Sequence, residues 1–244
     1  MTKRMFLSIL CFLLGSLLHS GVIDTHYDSA RANMVKAIEN EVRETSSQLG
    51  KARLDPSVIA AMEKVPRHTF VPLRYRLWAY KNRPLPIGFG QTISQPYVVA
   101  VMTDLLALEP TDRVLEVGTG SGYQAAVLAE IVKEVYTIEV IGELAASAKE
   151  RLKEEGYTNV RTRTGDGYYG WEEKAPFDAI IVTAAAGHIP PPLLSQLKPG
   201  GRMVIPVKGF YYVQHLLLVT KTAEGKVTTR QILPVAFVPL TGEH

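Results

Sequence analysis

The chain has 244 residues, of which 46% are hydrophobic and 21% charged, proportions that suit one α/β domain with a full core or two small domains. Its formal charge of +3 includes Lys3 and Arg4; without that pair, 25 basic residues face 24 acidic ones, which gives no electrostatic reason to expect nucleic acid. The single cysteine, Cys11, lies in the same N-terminal segment, so the remainder has no disulfide, thiolate metal site or cysteine nucleophile.

Lys3 and Arg4 precede an apolar run from Met5 to Leu18, which matches the charged and apolar regions of a secretory signal. The run is short for a membrane span of ~20 residues. A cleavage site is poorly marked: Ser20 suits the last position before a cut, but Leu18 is bulky two residues earlier, and Ala30-Arg31-Ala32 lies far from the run. Two readings stay open, a signal or anchor and a start at Met34. Residues 1–33 are therefore expected to be an extension and residues 34–244 a single domain.

Met34, Val35, Ile38, Val42 and Leu49 recur among charged positions and predict an amphipathic helix from about Asn33 to Leu49. Asp55-Pro56 opens a second helix, with aspartate at the cap and proline in the first turn; it carries Val58, Ile59 and Met62 inward and stops before Pro66. The proline- and aromatic-rich stretch from Phe70 to Gly90 cannot be one regular element. A helix from about Pro96 to Leu106 follows.

From Arg113 the rhythm changes. Strands are predicted at Val114–Val117, Val135–Val140, Val160–Thr164, Ala179–Thr183 and Met203–Val207, with helices at Gln124–Ile131 and Glu143–Glu155. The alternation predicts a doubly wound parallel sheet with helices on both faces and an N-terminal helical addition. His215–Thr220 and Val227–Leu233 then predict an antiparallel hairpin at the sheet edge, turning at Ala223-Glu224-Gly225. Leu197-Lys198-Pro199-Gly200-Gly201 reads as a turn before the fifth strand.

The most informative segment is Glu116-Val117-Gly118-Thr119-Gly120-Ser121-Gly122-Tyr123, which follows a strand and opens a helix. Gly118, Gly120 and Gly122 form G-x-G-x-G, whereas a dinucleotide enzyme is expected to continue G-x-G-x-x-G, and Tyr123 holds that sixth place. A carboxylate as close as Glu116 would repel a pyrophosphate but suits the amino and sulfonium charges of S-adenosylmethionine. Glu139, about 20 residues on, stands where such folds place an acid on ribose hydroxyls. Asp166, in Gly165-Asp166-Gly167 after the third strand, is expected near an adenine ring. Strand-end acids also cap helices or sit in solvent; three on successive strand ends are the more specific signal.

Missing parts narrow the methyl acceptor. Val182-Thr183-Ala184-Ala185-Ala186 replaces the proline-aromatic segment of exocyclic base methylation, and cytosine C5 methylation needs a cysteine. No glutamate pair for a guanidinium follows the fourth strand, and no His/Asp/Glu cluster offers a metal site. A carboxylate acceptor needs only alignment, which is worth on the order of 7–11 kcal/mol. Gly90-Gln91-Thr92-Ile93-Ser94-Gln95-Pro96 is the candidate gripping element. Ser94 reads equally as a helix-capping serine and as a donor to an anion at the helix start.

Val65-Pro66-Arg67-His68-Thr69-Phe70-Val71-Pro72, Gly90–Pro96, Val114–Gly122, Gly165–Gly167 and Phe237-Val238-Pro239-Leu240-Thr241 together resemble the protein-L-isoaspartate O-methyltransferases, over nearly all of residues 34–244. The resemblance implies methyl transfer from S-adenosylmethionine to the free carboxylate of L-isoaspartyl residues in damaged proteins and peptides, which starts their repair. It implies Ser94 as the active-site serine. It implies Glu116, Gly118, Gly120, Gly122, Glu139, Asp166 and Gly167 as cofactor residues, with Thr241 closing over them. It also implies a monomer with no metal and no nucleic-acid partner. A cytoplasmic location fits the family and the cytosolic origin of the cofactor, whereas the N-terminal run points to export or anchoring. The rivals are a small-molecule or RNA methyltransferase of the same fold and a non-catalytic cofactor sensor.

Overall fold

A computed structural model describes residues 27–209 and 213–243. Lys3, Arg4, Cys11 and the apolar run lie outside the described residues. Helix α1 is already under way at residue 27 and runs to 44, earlier than the spacing suggested. Tyr27 stacks on His68 with ring centroids 3.8 Å apart, and Arg31 donates to the Lys64 carbonyl oxygen at 3.2 Å. Residues 27–33 therefore pack on the rest of the fold. After α2 (Ser46–Leu49), helix α3 (Pro56–Lys64) begins as its sequence dictates: the Asp55 carboxylate accepts from Ser57 N at 2.8 Å, and Pro56 fills the first turn. Met34, Val35, Ile38, Val42, Leu49, Val58 and Met62 are all buried.

The proline-aromatic stretch folds as two 3-10 turns, Arg67–Phe70 and Leu73–Trp78. It is followed by a short hairpin, β1 (Leu85–Gly88) and β2 (Gln91–Ile93). No alternation in the sequence announced this hairpin, because its strands are only four and three residues long. Helix α4 (Pro96–Leu105) follows.

A seven-stranded sheet then forms from β3 (Arg113–Val117), β4 (Glu134–Glu139), β5 (Val160–Thr164), β6 (Phe177–Val182), β7 (Leu197–Lys208), β8 (Gln214–Lys221) and β9 (Val227–Val235). Their order is β5-β4-β3-β6-β7-β8-β9; the first five strands are parallel and the last two antiparallel. This is the doubly wound α/β sheet expected from the pattern, with two antiparallel strands at one edge. The expected edge hairpin is β8–β9, closed where Gly225 N donates to the Thr222 carbonyl oxygen at 2.9 Å.

The sheet's two faces are covered unequally. Helices α1, α3, α4, α5 (Tyr123–Ala129) and α6 (Gly142–Glu154) supply the larger core, with Ile38, Met62, Val101, Val127 and Leu152 all buried. The other face, Leu115, Ile138, Ile180, Met203 and Val219, is covered by α7 (Pro191–Gln196) and by the turn residue Trp171. The sequence concealed α7 behind Pro190-Pro191-Pro192, yet proline is tolerated where a helix starts. The Lys198–Gly201 turn signal became a register irregularity at the start of β7. Each fully buried aliphatic side chain in these cores contributes ~1.5–3 kcal/mol before entropy is counted.

Candidate functional site

The strand order reverses at β3, whose neighbours β4 and β6 lead to opposite sides of the sheet, and open α/β sheets bind ligands at such a point. A cleft lies there, enclosing about 760 Å³ including its open mouth. Its floor is the loop Gly118–Gly122 between β3 and α5. Gly118 N and Thr119 N donate to the Ile138 carbonyl oxygen at 2.8 and 3.1 Å, pinning the loop to β4. Gly118 has φ +98°, and a Cβ there would fall well inside van der Waals contact distance of Thr183 Oγ1, which donates to the Gly118 carbonyl oxygen at 2.6 Å. Only glycine satisfies both conditions. Glu139, at the end of β4, accepts from Gly120 N at 2.7 Å and from Ile141 N at 3.0 Å. It is buried to 6% exposure and, among the described residues, is the one carboxylate lining the cleft.

Three sequence expectations are relocated. Glu116 does not line the cleft; it is wholly buried beneath the loop. Its Oε2 accepts from Thr137 Oγ1 at 2.5 Å, Thr137 pairs with Thr119 at 2.6 Å, and Oε1 has no partner. Desolvation pushes its carboxyl up to about 8, with the Glu139 charge adding to the shift and the Thr137 hydrogen bond opposing it. Glu116 therefore shapes the loop from behind and is not placed to touch a ligand's charges. Asp166 also lies outside the lining: it accepts from Tyr168 N, capping the turn Gly167–Tyr169, and from Glu243 N, both at 2.9 Å. Gly122 sits at the start of α5, packed on Leu152 and Ala148. Gly118, Gly120, Glu139, Gly167 and Thr241 all line the cleft, as does Ser94.

Ser94 occupies the link between β2 and α4. Its capping reading is set aside, because Gln95 is the helix cap and no side chain caps α4. Among the described residues no protein group hydrogen-bonds the Ser94 hydroxyl, which leaves it available to a ligand. Its backbone is held instead: the Ser94 carbonyl oxygen accepts from Arg67 Nη2 at 2.7 Å, and Arg67 Nε donates to the Ala79 carbonyl oxygen at 2.7 Å. Arg67 is fully buried, its guanidinium 4.7 Å from the centre of the Tyr123 ring, and its Nη1 has no partner. Burial lowers it to about 10, so it stays charged at neutral pH. Arg67 thus ties the acceptor segment to the residue that follows the glycine loop. The sequence contained its signal, an arginine inside an apolar Val-Pro-Arg-x-x-Phe-Val run, but not its partner.

The C-terminal segment forms the cleft's remaining wall. Gln214 exchanges two hydrogen bonds with the Phe237 backbone, at 2.9 and 2.6 Å. Ala185 N donates to the Val238 carbonyl oxygen and Leu240 N to that of Ala185, both at 2.8 Å. Glu243 N then reaches Asp166, so the segment crosses from β6 to the end of β5. Among the described residues, no helix is long and apolar enough to cross a membrane, and no group of three His, Cys, Asp or Glu side chains could hold a metal ion.

The model of the family described as protein-L-isoaspartate(D-aspartate) O-methyltransferase matches residues 40–244. The chain belongs to that family. Among its relatives, protein-L-isoaspartate O-methyltransferase 2 of Syntrophobacter fumaroxidans is 66% identical over 224 residues, covering 92% of this chain and 91% of its own. The enzyme of the same name from a Polaromonas species is 63% identical over 211 residues, covering 86% of this chain and all of its own. A solved protein-L-isoaspartate O-methyltransferase superposes with a TM-score of 0.75 at 28% identity, across 87% of this chain and 66% of that one.

Proposed function

We propose that this cleft is where the chain carries out the reaction of its family: methyl transfer from S-adenosylmethionine to the free carboxylate of an L-isoaspartyl residue in a damaged protein or peptide. The backbone amide nitrogen of the substrate's next residue then attacks the ester carbonyl and expels methanol, closing a succinimide, and hydrolysis of that ring returns a fraction of the substrate molecules to normal aspartate. The observation carrying the assignment is that the Ser94 hydroxyl, without a protein partner, and the Glu139-braced glycine loop line one cleft.

The lining suits the donor. Among the described residues it contains Glu139 and no lysine, arginine or histidine, so none of these offers a side-chain cation to a pyrophosphate. Ile138, Val140 and Ile141 offer an apolar surface for an adenine, and both Glu139 oxygens retain acceptor capacity for ribose hydroxyls. S-adenosylmethionine, when bound, supplies an electrophilic methyl on a positively charged sulfur. The chain's own task is then alignment and exclusion of water. An ionised carboxylate is already a nucleophile, so no general base is required, which agrees with the absence of histidine from the cleft. Ser94 would donate a hydrogen bond to one carboxylate oxygen and leave the other to face the methyl. Arg67 fixes the backbone from which Ser94 projects. The segment Val238–Thr241 covers the opposite side. The chain would act as a monomer in the cytoplasm, where its cofactor is made; mass spectrometry of the native N-terminus tests the location.

Incubation with labelled cofactor and matched isoaspartyl and aspartyl peptides tests the reading. Selective labelling of the isoaspartyl peptide is expected. Equal labelling of both, or of neither, overturns it.

A further inference from the structure

A second cleft opens on the other side of Ser94 and shares Thr92, Ser94, Thr183 and Val238 with the first. Its walls are Tyr97 of α4 and the run Leu233–Phe237, where the edge strand β9 leaves the sheet. An isoaspartyl residue sits within a polypeptide, so a carboxylate placed at Ser94 must have chain leading away from it. The first cleft is taken by the donor in the reading above. The second also opens at Ser94 and is free to take that chain.

One charged side chain lines this second cleft, that of Glu41 on α1. It accepts from Asn82 Nδ2 at 2.6 Å and from Gln95 Nε2 at 3.2 and 3.3 Å. These two neutral amides occupy about half of a carboxylate's roughly four acceptor positions and bring no positive charge. No lysine, arginine or histidine among the described residues forms an ion pair with Glu41. Its carboxyl is raised above the ordinary glutamate value, first by burial and further by the nearby Glu44. A partly desolvated carboxylate facing an apolar groove gains most from a cation delivered by whatever fills that groove.

We propose that this groove receives the chain flanking the isoaspartyl residue and that Glu41 makes it selective for a lysine or arginine side chain there. The proposal rests on the acceptor role given to Ser94. If Glu41 merely bracketed Asn82 and Gln95, the charge of the flanking peptide would not matter.

The test uses the full chain, labelled S-adenosylmethionine and isoaspartyl peptides that differ at one position only. Lysine, glutamine or glutamate is placed in turn at each of the two positions on either side of the damaged residue. At one position or more, kcat/KM is expected to fall from lysine through glutamine to glutamate. The lysine-to-glutamate ratio should be roughly tenfold, the scale of one partly screened ion pair, and expressed mainly in KM. Added salt should shrink the ratio. Glu41→Gln should bring it close to one, and Glu41→Lys should invert it; a fold defect would instead slow all peptides alike. Equal rates for all flanks at all four positions, or a ratio that survives both substitutions, overturns the proposal while leaving the methyl-transfer reading intact. Failure to methylate any isoaspartyl peptide overturns both.

Discussion

The cleft has two sides built in different ways. The side proposed for the donor is nearly continuous in sequence: β3, the glycine loop, α5 and β4 run from Arg113 to Glu139, and the bonds from Gly118, Thr119 and Gly120 to β4 stay within that unit, with Thr183 adding one from the end of β6. The acceptor side is gathered from afar. Ser94 depends on Arg67, 27 residues earlier, Gln95 reaches Glu41, 54 residues earlier, and the covering segment begins near Phe237. The glycine loop is thus shaped largely by nearby residues, whereas the Ser94 side is assembled from distant segments and exists only once the whole domain has folded.

Four substitutions would break or sharpen that contrast. The largest effect in free energy belongs to Glu116, beneath the donor loop. Its folded-state value of about 8 lies above the ordinary glutamate value of 4.5. The stability tied to its proton is therefore complete below 4.5 and lost as pH rises to 8, with a slope approaching ~1.4 kcal/mol per pH unit. Glu116→Gln should lack that loss and be the more stable protein above pH 8, as read by chemical denaturation of the cofactor-free chain across pH. Parallel curves for the two proteins would mean that the carboxylate is not held neutral.

Gly120→Val is next. Gly120 has φ +53° and borders the cleft, so a β-branched residue would be strained there and would project a side chain at the ligand surface. Affinity for the demethylated cofactor, S-adenosylhomocysteine, should fall roughly a hundredfold or more, about 3 kcal/mol, in calorimetry. Unchanged affinity would remove the loop from the donor side.

Ser94→Ala should divide the two sides. A hydrogen bond to a charged group contributes about 1.5–3 kcal/mol, so turnover should slow roughly ten- to hundredfold while donor affinity stays the same. Loss of donor affinity as well would show that the two sides are not separable. The smallest effect is expected in the C-terminal segment. A side chain on Gly242 would collide with the Asp166 carboxylate, so Gly242→Val should displace the cover and weaken donor binding roughly fivefold, about 1 kcal/mol. Full affinity would mean that the segment is not part of the donor wall.

The contrast explains what was legible in advance. The glycine turn, the Glu139 carboxylate and the alternation of strands and helices are local patterns whose period and spacing survive in a bare sequence. Glu116 was misplaced for the same reason: spacing puts an acid beside the loop but does not say on which side of it the carboxylate points. Helix α7 and the β1–β2 hairpin escaped notice because each is too short to establish a period, and packing holds them in place. Ser94 was read as both cap and acceptor, and the position of Gln95 in the folded chain separated the two.

By itself the sequence determined the sheet and the loop at its rim, because backbone propensity and residue period act over a few positions at a time; the class of reaction came from the resemblance its motifs bear to one family. The tertiary structure decided which carboxylate lines the cleft, which arginine holds the Ser94 backbone and which segment forms the opposite wall. Those outcomes depend on burial and on hydrogen bonds between segments tens of residues apart, whose partners no local pattern names.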